Sequence, residues 1–539
     1  MRIYGASLLF ACLLALGTVP GANANVVTED TLLWMSSYND VKNHDDKAFA
    51  VSVDSGGNIY VAGTENRSDR NEDYNILVNK YSPAGDLLWS RSAQGIPDGE
   101  DMAFGVAAIP DGGAYVTGWV TQIGGLAHAW IGKYGSNGEV LGTTTYEQAG
   151  SNESYFFSVA LDNAGKRVYA AGMSNDTYSG FGSRWLVVQY DLDLNRKWVR
   201  HYEGTAWYFN EAYAVAVASD GGVLVAGYET RADSNDLLYT DVLGRRKVLR
   251  DSGSYLNTDA VLLKYESSGT LAWSSRYGSD VNDGQERQDA YYGVAVDGDG
   301  FIYAVGVAEP DQPSNSKTDR LIRKYTPDGR NVQWTRNVAV MTNQDDGAEA
   351  CAVVRPGKLV VAGSSLSSDF GWDAYIESYE TVNGGMTHRD WYDSGNYLSK
   401  KNEDWLTGVA ACGAGSYVAV GYENRNYDLM QSYNWFIRKY SGPVPVPVTL
   451  LNTRVFPNPF NPATAVGGTL KFAPLPSSTT VRIYTVRGYL VREICERGNE
   501  ATWDGTNGRG DRAGSGVYVY VVSAPGLPAI RGRFMLSRQ

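Results

Sequence analysis

At 539 residues the chain is longer than one ordinary domain needs, and it carries 61 Gly, 37 Tyr and 14 Trp but only 4 His. Aromatics mixed with turn formers favour strands and tight turns, and no stretch of the mature chain sustains a 3.6-residue apolar period, so helix is expected to be scarce. The formal net charge of −13 argues against nucleic acid or an anionic membrane as partner, because both attract basic surfaces.

The first residues read as an export signal. Arg2 is followed by an apolar run from Ser7 to Leu16 and then by Ala22-Asn23-Ala24. A basic start, a short apolar core and small residues at −3 and −1 predict a signal peptide over 1–24, with Asn25 opening the mature chain. The run is too short to span a bilayer, and no later segment is long and apolar enough, so no transmembrane span is expected in the mature chain. Of the remaining cysteines, Cys351, Cys412 and Cys495, the odd number rules out a complete disulfide framework. Cys351 falls where sister segments carry Val51, Val106, Val215, Val294 and Val409, which predicts a buried small hydrophobe.

From residue 46 onward the chain repeats itself. Ile59-Tyr60-Val61-Ala62-Gly63 returns as Ala114–Gly118, Val168–Gly172, Val223–Gly227, Ile302–Gly306, Leu359–Gly363 and Tyr417–Gly421. The closing glycines are 55, 54, 55, 79, 57 and 58 residues apart, so seven units follow, with an insertion in the fourth. Each unit parses into four strands. A short apolar strand leads through an Asp-Gly type turn such as Pro110-Asp111-Gly112-Gly113 into the glycine-closed strand. A third strand ends in Lys-Tyr (Lys80-Tyr81, Lys133-Tyr134, Lys264-Tyr265, Lys324-Tyr325, Lys439-Tyr440), and a fourth is centred on Trp89, Trp198, Trp273 or Trp334. Tight Gly-containing turns between β-rich runs mean antiparallel hairpins. Four such strands in seven units predict an all-β, seven-bladed β-propeller over 25–441.

The ends of the array are complementary. The seventh unit stops after Lys439-Tyr440 without a fourth strand, and Leu32-Leu33-Trp34 with Ser36-Ser37 resembles Leu87-Leu88-Trp89-Ser90. The N-terminal strand is therefore expected to complete the last blade. The pattern Asp-x-x-Gly-Asn-Ile-Tyr-Val-x-Gly, followed by Lys-Tyr-x-x-x-Gly-x-x-x-Trp, resembles the SBBP repeats of secreted bacterial β-propellers over about residues 26–441. That resemblance implies a fold rather than an activity.

In a four-stranded antiparallel blade, the second–third loops and the blade connections share one face. These are the long, irregular loops here, as in Gly63 to Tyr74 and Gly306 to Asp319, and binding residues concentrate on such loops. On that face Trp207, Tyr208 and Phe209 form an unrepeated aromatic cluster, which suits either a sugar or peptide platform or a plug between blades. Asp46, Asp101, Asp289, Asp346 and Asp404 each lie 17 residues before their closing glycine. They offer a ring of carboxylates for a cation; because the position repeats, the favoured reading is a backbone clamp at the start of each blade. Asp191-Leu192-Asp193-Leu194-Asn195 alternates oxygen ligands as a calcium loop does, but lacks the glycine and the distant Glu and falls where sister units make a plain turn. Calcium is thus the one cofactor the sequence offers, and it has no dedicated motif. The insertion from Thr230 to Thr258 is a candidate recognition flap or a tolerated loop. His44, His128, His201 and His388 are scattered singly, and no Gly-x-Ser-x-Gly elbow occurs.

Pro443, Pro445 and Pro447 form a stiff linker over 442–454. After it come Val455-Phe456-Pro457-Asn458-Pro459-Phe460-Asn461-Pro462, Val481-Arg482-Ile483-Tyr484, Trp503-Asp504-Gly505 and Ser515-Gly516-Val517-Tyr518. Short strands at this spacing suggest a small immunoglobulin-like sandwich over 455–539. The series resembles the C-terminal sorting domains of type IX secretion and the related Ig-like domain of flagellar hook-capping proteins. The resemblance implies the type IX machinery as a partner and a secreted or outer-surface location in a Gram-negative-type bacterium. Arg509-Gly510-Asp511 reads as a turn. The leading expectation is a non-enzymatic protein that binds a glycan, peptide or surface component. The alternatives are a glycan-active hydrolase or lyase and a structural display element.

Overall fold

A computed structural model of the chain describes residues 30–39, 45–66, 74–96, 99–147, 153–175, 182–204, 209–231, 237–240, 246–249, 257–278, 288–309, 317–339, 344–367, 371–394, 402–413, 415–424, 433–441, 450, 453–465, 468–473, 475, 479–496, 500–524 and 528–538. Residues 1–29, the expected signal peptide among them, and most of the linker lie outside this set. Contacts divide the chain into two compact units, Met1–Gly442 and Pro443–Gln539.

Among the described residues the regular structure of the first unit is all strand. Sheet one runs Asp46–Val53, Ile59–Asn66, Tyr74–Tyr81 and Leu87–Ala93 in sequential antiparallel order. The same order recurs in sheets two (101–146), three (154–202), four (210–277), five (290–338) and six (346–392). Sheet seven is Trp405–Gly413, Ser416–Asn424 and Tyr433–Ser441, and its fourth strand is Thr31–Tyr38, paired antiparallel to Tyr433–Ser441 from the other end of the unit. Such repeated four-stranded antiparallel sheets fit a β-propeller. The fourth-sheet insertion forms its own hairpin, Leu237–Thr240 against Arg246–Leu249.

The second and third strands of each sheet are buried on both faces against the neighbouring sheets, whereas the fourth strands are mostly exposed or half-buried. Seven core clusters result, one for each pair of successive sheets, and the last joins sheet seven to sheet one through Ile59, Val61, Val420 and Trp435. The repeated Lys and Trp clasp one sheet to the next. Lys80 Nζ and Trp89 Nε1 both donate to Ser136 O at 3.0 Å, and Lys324 and Trp334 both donate to Thr381 O, at 2.9 and 3.1 Å. Lys439 of sheet seven donates to Pro83 O of sheet one at 2.7 Å. Sheet six has Ser378 where five sister sheets have Lys and sheet three has Gln189. There Asp30, just ahead of the N-terminal strand, takes Lys358, Ser378 and Tyr417 on one buried carboxylate. Burial works against that charge, but the Lys358 and Ser378 hydrogen bonds hold the Asp30 carboxyl below its usual range.

The second unit pairs two sheets. One is Arg454–Phe456, Leu470–Ala473 and Ala501–Trp503; the other is ordered Leu490–Cys495, Thr480–Thr485, Gly516–Ser523 and Ile530–Leu536. They enclose one core around Phe460, Phe472, Trp503 and Phe534. The Asn-Pro-Phe segment is sewn to the last strand: Phe460 N donates to Met535 O at 2.7 Å, and Asn458 Oδ1 accepts Met535 N at 3.1 Å. Among the described residues no helix is long and apolar enough to cross a membrane.

Candidate functional site: the central channel

The closing glycine of each unit explains what lies at the centre. It pairs with a first-strand residue next to a β-bulge, and the carbonyl before that residue tips toward the glycine. A Cβ on Gly63, Gly118, Gly172, Gly227, Gly306, Gly363 or Gly421 would collide with the carbonyl oxygen of Lys47, Met102, Tyr155, Glu211, Ala290, Gly347 or Trp405 respectively. Only glycine admits this approach. The pairing then skips one first-strand residue in every sheet, as between Ala48 and Ala50. A bulge turns its extra residue away from the ladder.

The first strands contact one another in a closed cycle from sheet one through sheet seven and back, so the skipped residues face the axis. In sheets one to five these are Phe49, Phe104, Phe157, Tyr213 and Tyr292. Sheets six and seven supply Glu349 and Thr407. The aromatic rings touch in series, with centroids 4.8 Å apart for Phe49–Phe104, 5.7 Å for Phe104–Phe157, 5.4 Å for Phe157–Tyr213 and 5.1 Å for Tyr213–Tyr292. All are half-buried. Thr407 donates to Ala48 O at 2.8 Å and so spends its hydroxyl on the join between sheets seven and one.

A second tier lies toward the start of the first strands, the end nearer the long loops. Glu211 accepts the Tyr213 hydroxyl at 2.5 Å, and burial raises its carboxyl pKa above the ordinary value. Lys47 holds its ammonium 4.0 Å from the Tyr433 ring centroid and 5.1 Å from that of Tyr422. Glu349 is half-buried, and desolvation by burial pushes its carboxyl up to about 7.

The residues singled out from the sequence fall elsewhere. Trp207 and Tyr208 lie outside the described residues, as does His44, and Phe209 is exposed. Asp46, Asp101, Asp289, Asp346 and Asp404 are all buried where their sheets begin. Asp101 accepts Gly95 N and Thr121 N at 2.6 and 2.7 Å, Asp289 accepts Glu309 N at 3.2 Å, and Asp404 accepts Ser394 N at 2.7 Å. Asp346 bonds Ser365 and lies 3.7 Å from the buried Arg320. Sheets three and four use Ser154 and Asn210 at this position, and these bond backbone in the same way. Among the described residues no three His, Cys, Asp or Glu side chains converge as a metal site. Asp191 spends Oδ1 on Asp193 N and Asn195 N, at 3.0 and 2.9 Å, within a turn. His201 faces the Tyr146 hydroxyl at 3.4 Å, and burial with Arg184 lowers its pKa to about 4. Burial pushes the Cys351 thiol up to about 12, as suits a packed hydrophobe. Arg509-Gly510-Asp511 sits in a turn capped by Asn507 Oδ1.

No family model and no curated protein matches the chain. Among solved structures it is similar to PorZ, described as an essential surface component of the type-IX secretion system of Porphyromonas gingivalis, at 14% identity over 91% of this chain and 81% of that one, with a TM-score of 0.24. It is also similar to the quinohemoprotein alcohol dehydrogenase ADHIIG of Pseudomonas putida HK5, at 9% identity over 77% and 76% of the two chains with a TM-score of 0.39. The corresponding enzyme of Comamonas testosteroni gives 10% identity, the same coverage and a TM-score of 0.38. With TM-scores this low, the fold assignment rests on strand pairing and not on these chains.

Proposed function

We propose that the chain is an exported binding protein: a seven-bladed propeller that admits its ligand from the long-loop face into the central channel. The observation that carries this reading is the unbroken aromatic wall from Phe49 to Tyr292. Half-buried aromatic side chains in series offer a ligand a large apolar surface of defined geometry. The C-terminal unit is read as an immunoglobulin-like sorting domain addressed to the type IX machinery. Its support is the sequence pattern around Phe460, Trp503 and Tyr518, each a core residue of that unit.

Screening residues 25–539 on glycan and peptide arrays, with and without calcium, tests the binding reading. Binding is expected to fall in Phe157→Ala and Tyr213→Ala and to survive changes in the short Asp111-Gly112 turn; the reverse pattern would overturn it. A glycan-active hydrolase is a second reading, favoured by Glu211 and Glu349, which both lie on first strands and have carboxyls raised by burial. Turnover of a glycan that Glu349→Gln abolishes would establish it.

A further inference from the structure

The channel wall closes with a carboxylate where an aromatic or aliphatic side chain would have served. Placing a carboxyl among ring faces is unfavourable unless its charge is matched. Sheet six nevertheless makes room for it: two positions earlier stands Gly347, where an added Cβ would come within 3.3 Å of Glu349 Oε1. At the equivalent position sheets three, four and seven carry Tyr155, Glu211 and Trp405. The titratable groups that Glu349 acts on electrostatically are Tyr292 of sheet five, Tyr375 of sheet six and Tyr422 of sheet seven, and burial holds each phenol neutral. The nearby Arg320, which lies against Tyr375, is already matched by Glu377 at 2.6 Å.

Ring faces present negative quadrupole density, so a wall of them beside one carboxylate attracts cations and repels anions. The chain uses that chemistry on itself, where the Lys47 ammonium lies over Tyr433 with Asp45 and Glu403 nearby. The unit that holds the channel is strongly acidic: residues 25–442 carry 35 Lys and Arg against 55 Asp and Glu, which steers cations toward it. Taking the binding reading above as its basis, we propose that the channel receives an alkylammonium group, protonated or methylated, caged by Phe157, Tyr213 and Tyr292 with Glu349 as counter-ion.

Calorimetry on residues 25–539 with choline and with its uncharged isostere 3,3-dimethylbutan-1-ol tests this. Choline should bind at least tenfold more tightly than the isostere, and Glu349→Gln should erase the difference while the protein still melts cooperatively. In the unmodified protein, choline affinity should rise roughly tenfold from about pH 5.5 to about pH 8 as Glu349 ionises, which keeps the test independent of the variant. Spermidine and a peptide bearing trimethyllysine, titrated separately, distinguish a free amine from a side chain as the source. Equal binding of choline and its isostere, an unchanged affinity in Glu349→Gln, or no heat with any probe up to about 10 mM would overturn the proposal. Array binding that persists while choline fails would leave the binding reading standing and remove only the ammonium assignment.

Discussion

The two units bury their apolar side chains in different ways. The sheets of Met1–Gly442 share seven separate clusters, each belonging to two neighbours, while Pro443–Gln539 gathers Phe460, Phe472, Trp503 and Phe534 into one. Their charge differs as well, since residues 443–539 carry 11 Lys and Arg against 5 Asp and Glu, opposite in sign to the propeller. A ring of pairwise interfaces depends on closure, because any open end leaves a cluster half-made and a strand edge exposed. A sandwich with one centre has no such seam. The ring gains an axis in return, and the axis is where the aromatic residues face a common space.

Deleting residues 26–40 should have the largest effect. It removes Trp34 from the cluster joining sheets seven and one, bares the Tyr433–Ser441 edge and leaves the Lys358 ammonium buried without Asp30. Breaking such a buried pair alone costs about 3–5 kcal/mol. The expected outcome is an insoluble product or a Tm lowered by more than about 10 °C; a variant that melts like the parent would remove the seam from the comparison.

Glycine substitutions sharpen the contrast at a smaller scale. Gly118→Ala sets a methyl against the Met102 carbonyl inside the ring and should cost about 3 kcal/mol. Gly488→Ala in the second unit meets nothing within 4 Å and bears only its φ of +85°, about 1 kcal/mol. Urea denaturation of both variants measures the two values, and equal costs would contradict the bulge account.

The first unit predicts a fall of stability with rising pH, opposite in sign to the effect of Asp504 in the sandwich. Against the pull of burial, Thr506 hydrogen bonds hold the Asp504 carboxyl below its usual range. The folded pKa of Glu349, about 7, lies above its ordinary 4.5, so the folded state holds the proton more tightly. Its contribution to stability is complete below about pH 4.5 and is lost as pH rises through about 7. Asp404 follows the same direction, with burial raising it to about 7. Tm profiles from pH 4 to 8 should therefore fall less steeply in Glu349→Gln than in the parent; parallel profiles would show that the channel does not desolvate this carboxyl.

The smallest effect is expected at the linker. Cutting after Gly442 should leave the Tm of the propeller unchanged, because each unit has its own core. In a host with the type IX apparatus the truncated chain should remain in the periplasm, and its arrival at the surface would overturn the sorting assignment.

Much of the architecture was legible because repetition makes it so. The seven glycine-closed strands, the Lys-Tyr and Trp positions and the orphan Leu32-Leu33-Trp34 segment announce hairpins and a missing strand, and the structure pairs Thr31–Tyr38 with Tyr433–Ser441. Of the five repeated aspartates, Asp101, Asp289 and Asp404 accept backbone N–H groups where their sheets begin, and Asp346 accepts the Ser365 hydroxyl. The channel residues also stand at a regular spacing. Phe49, Phe104, Tyr213, Tyr292, Glu349 and Thr407 stand 14 residues before their glycine, and Phe157 stands 15 before its own. Strict two-residue alternation hides them, because a bulge breaks the period exactly once in each first strand.

What the sequence determined by itself is what depends on local pattern: strand periodicity, turn chemistry, the number of units and the complementary ends. Tertiary structure alone decided that five aromatics and Glu349 from distant segments meet at one axis. It also decided that Asp30 meets Lys358, 328 residues further along the chain. Those meetings arise from closing the ring, and the fate of a carboxyl such as Glu349 depends on how much water that closure leaves beside it.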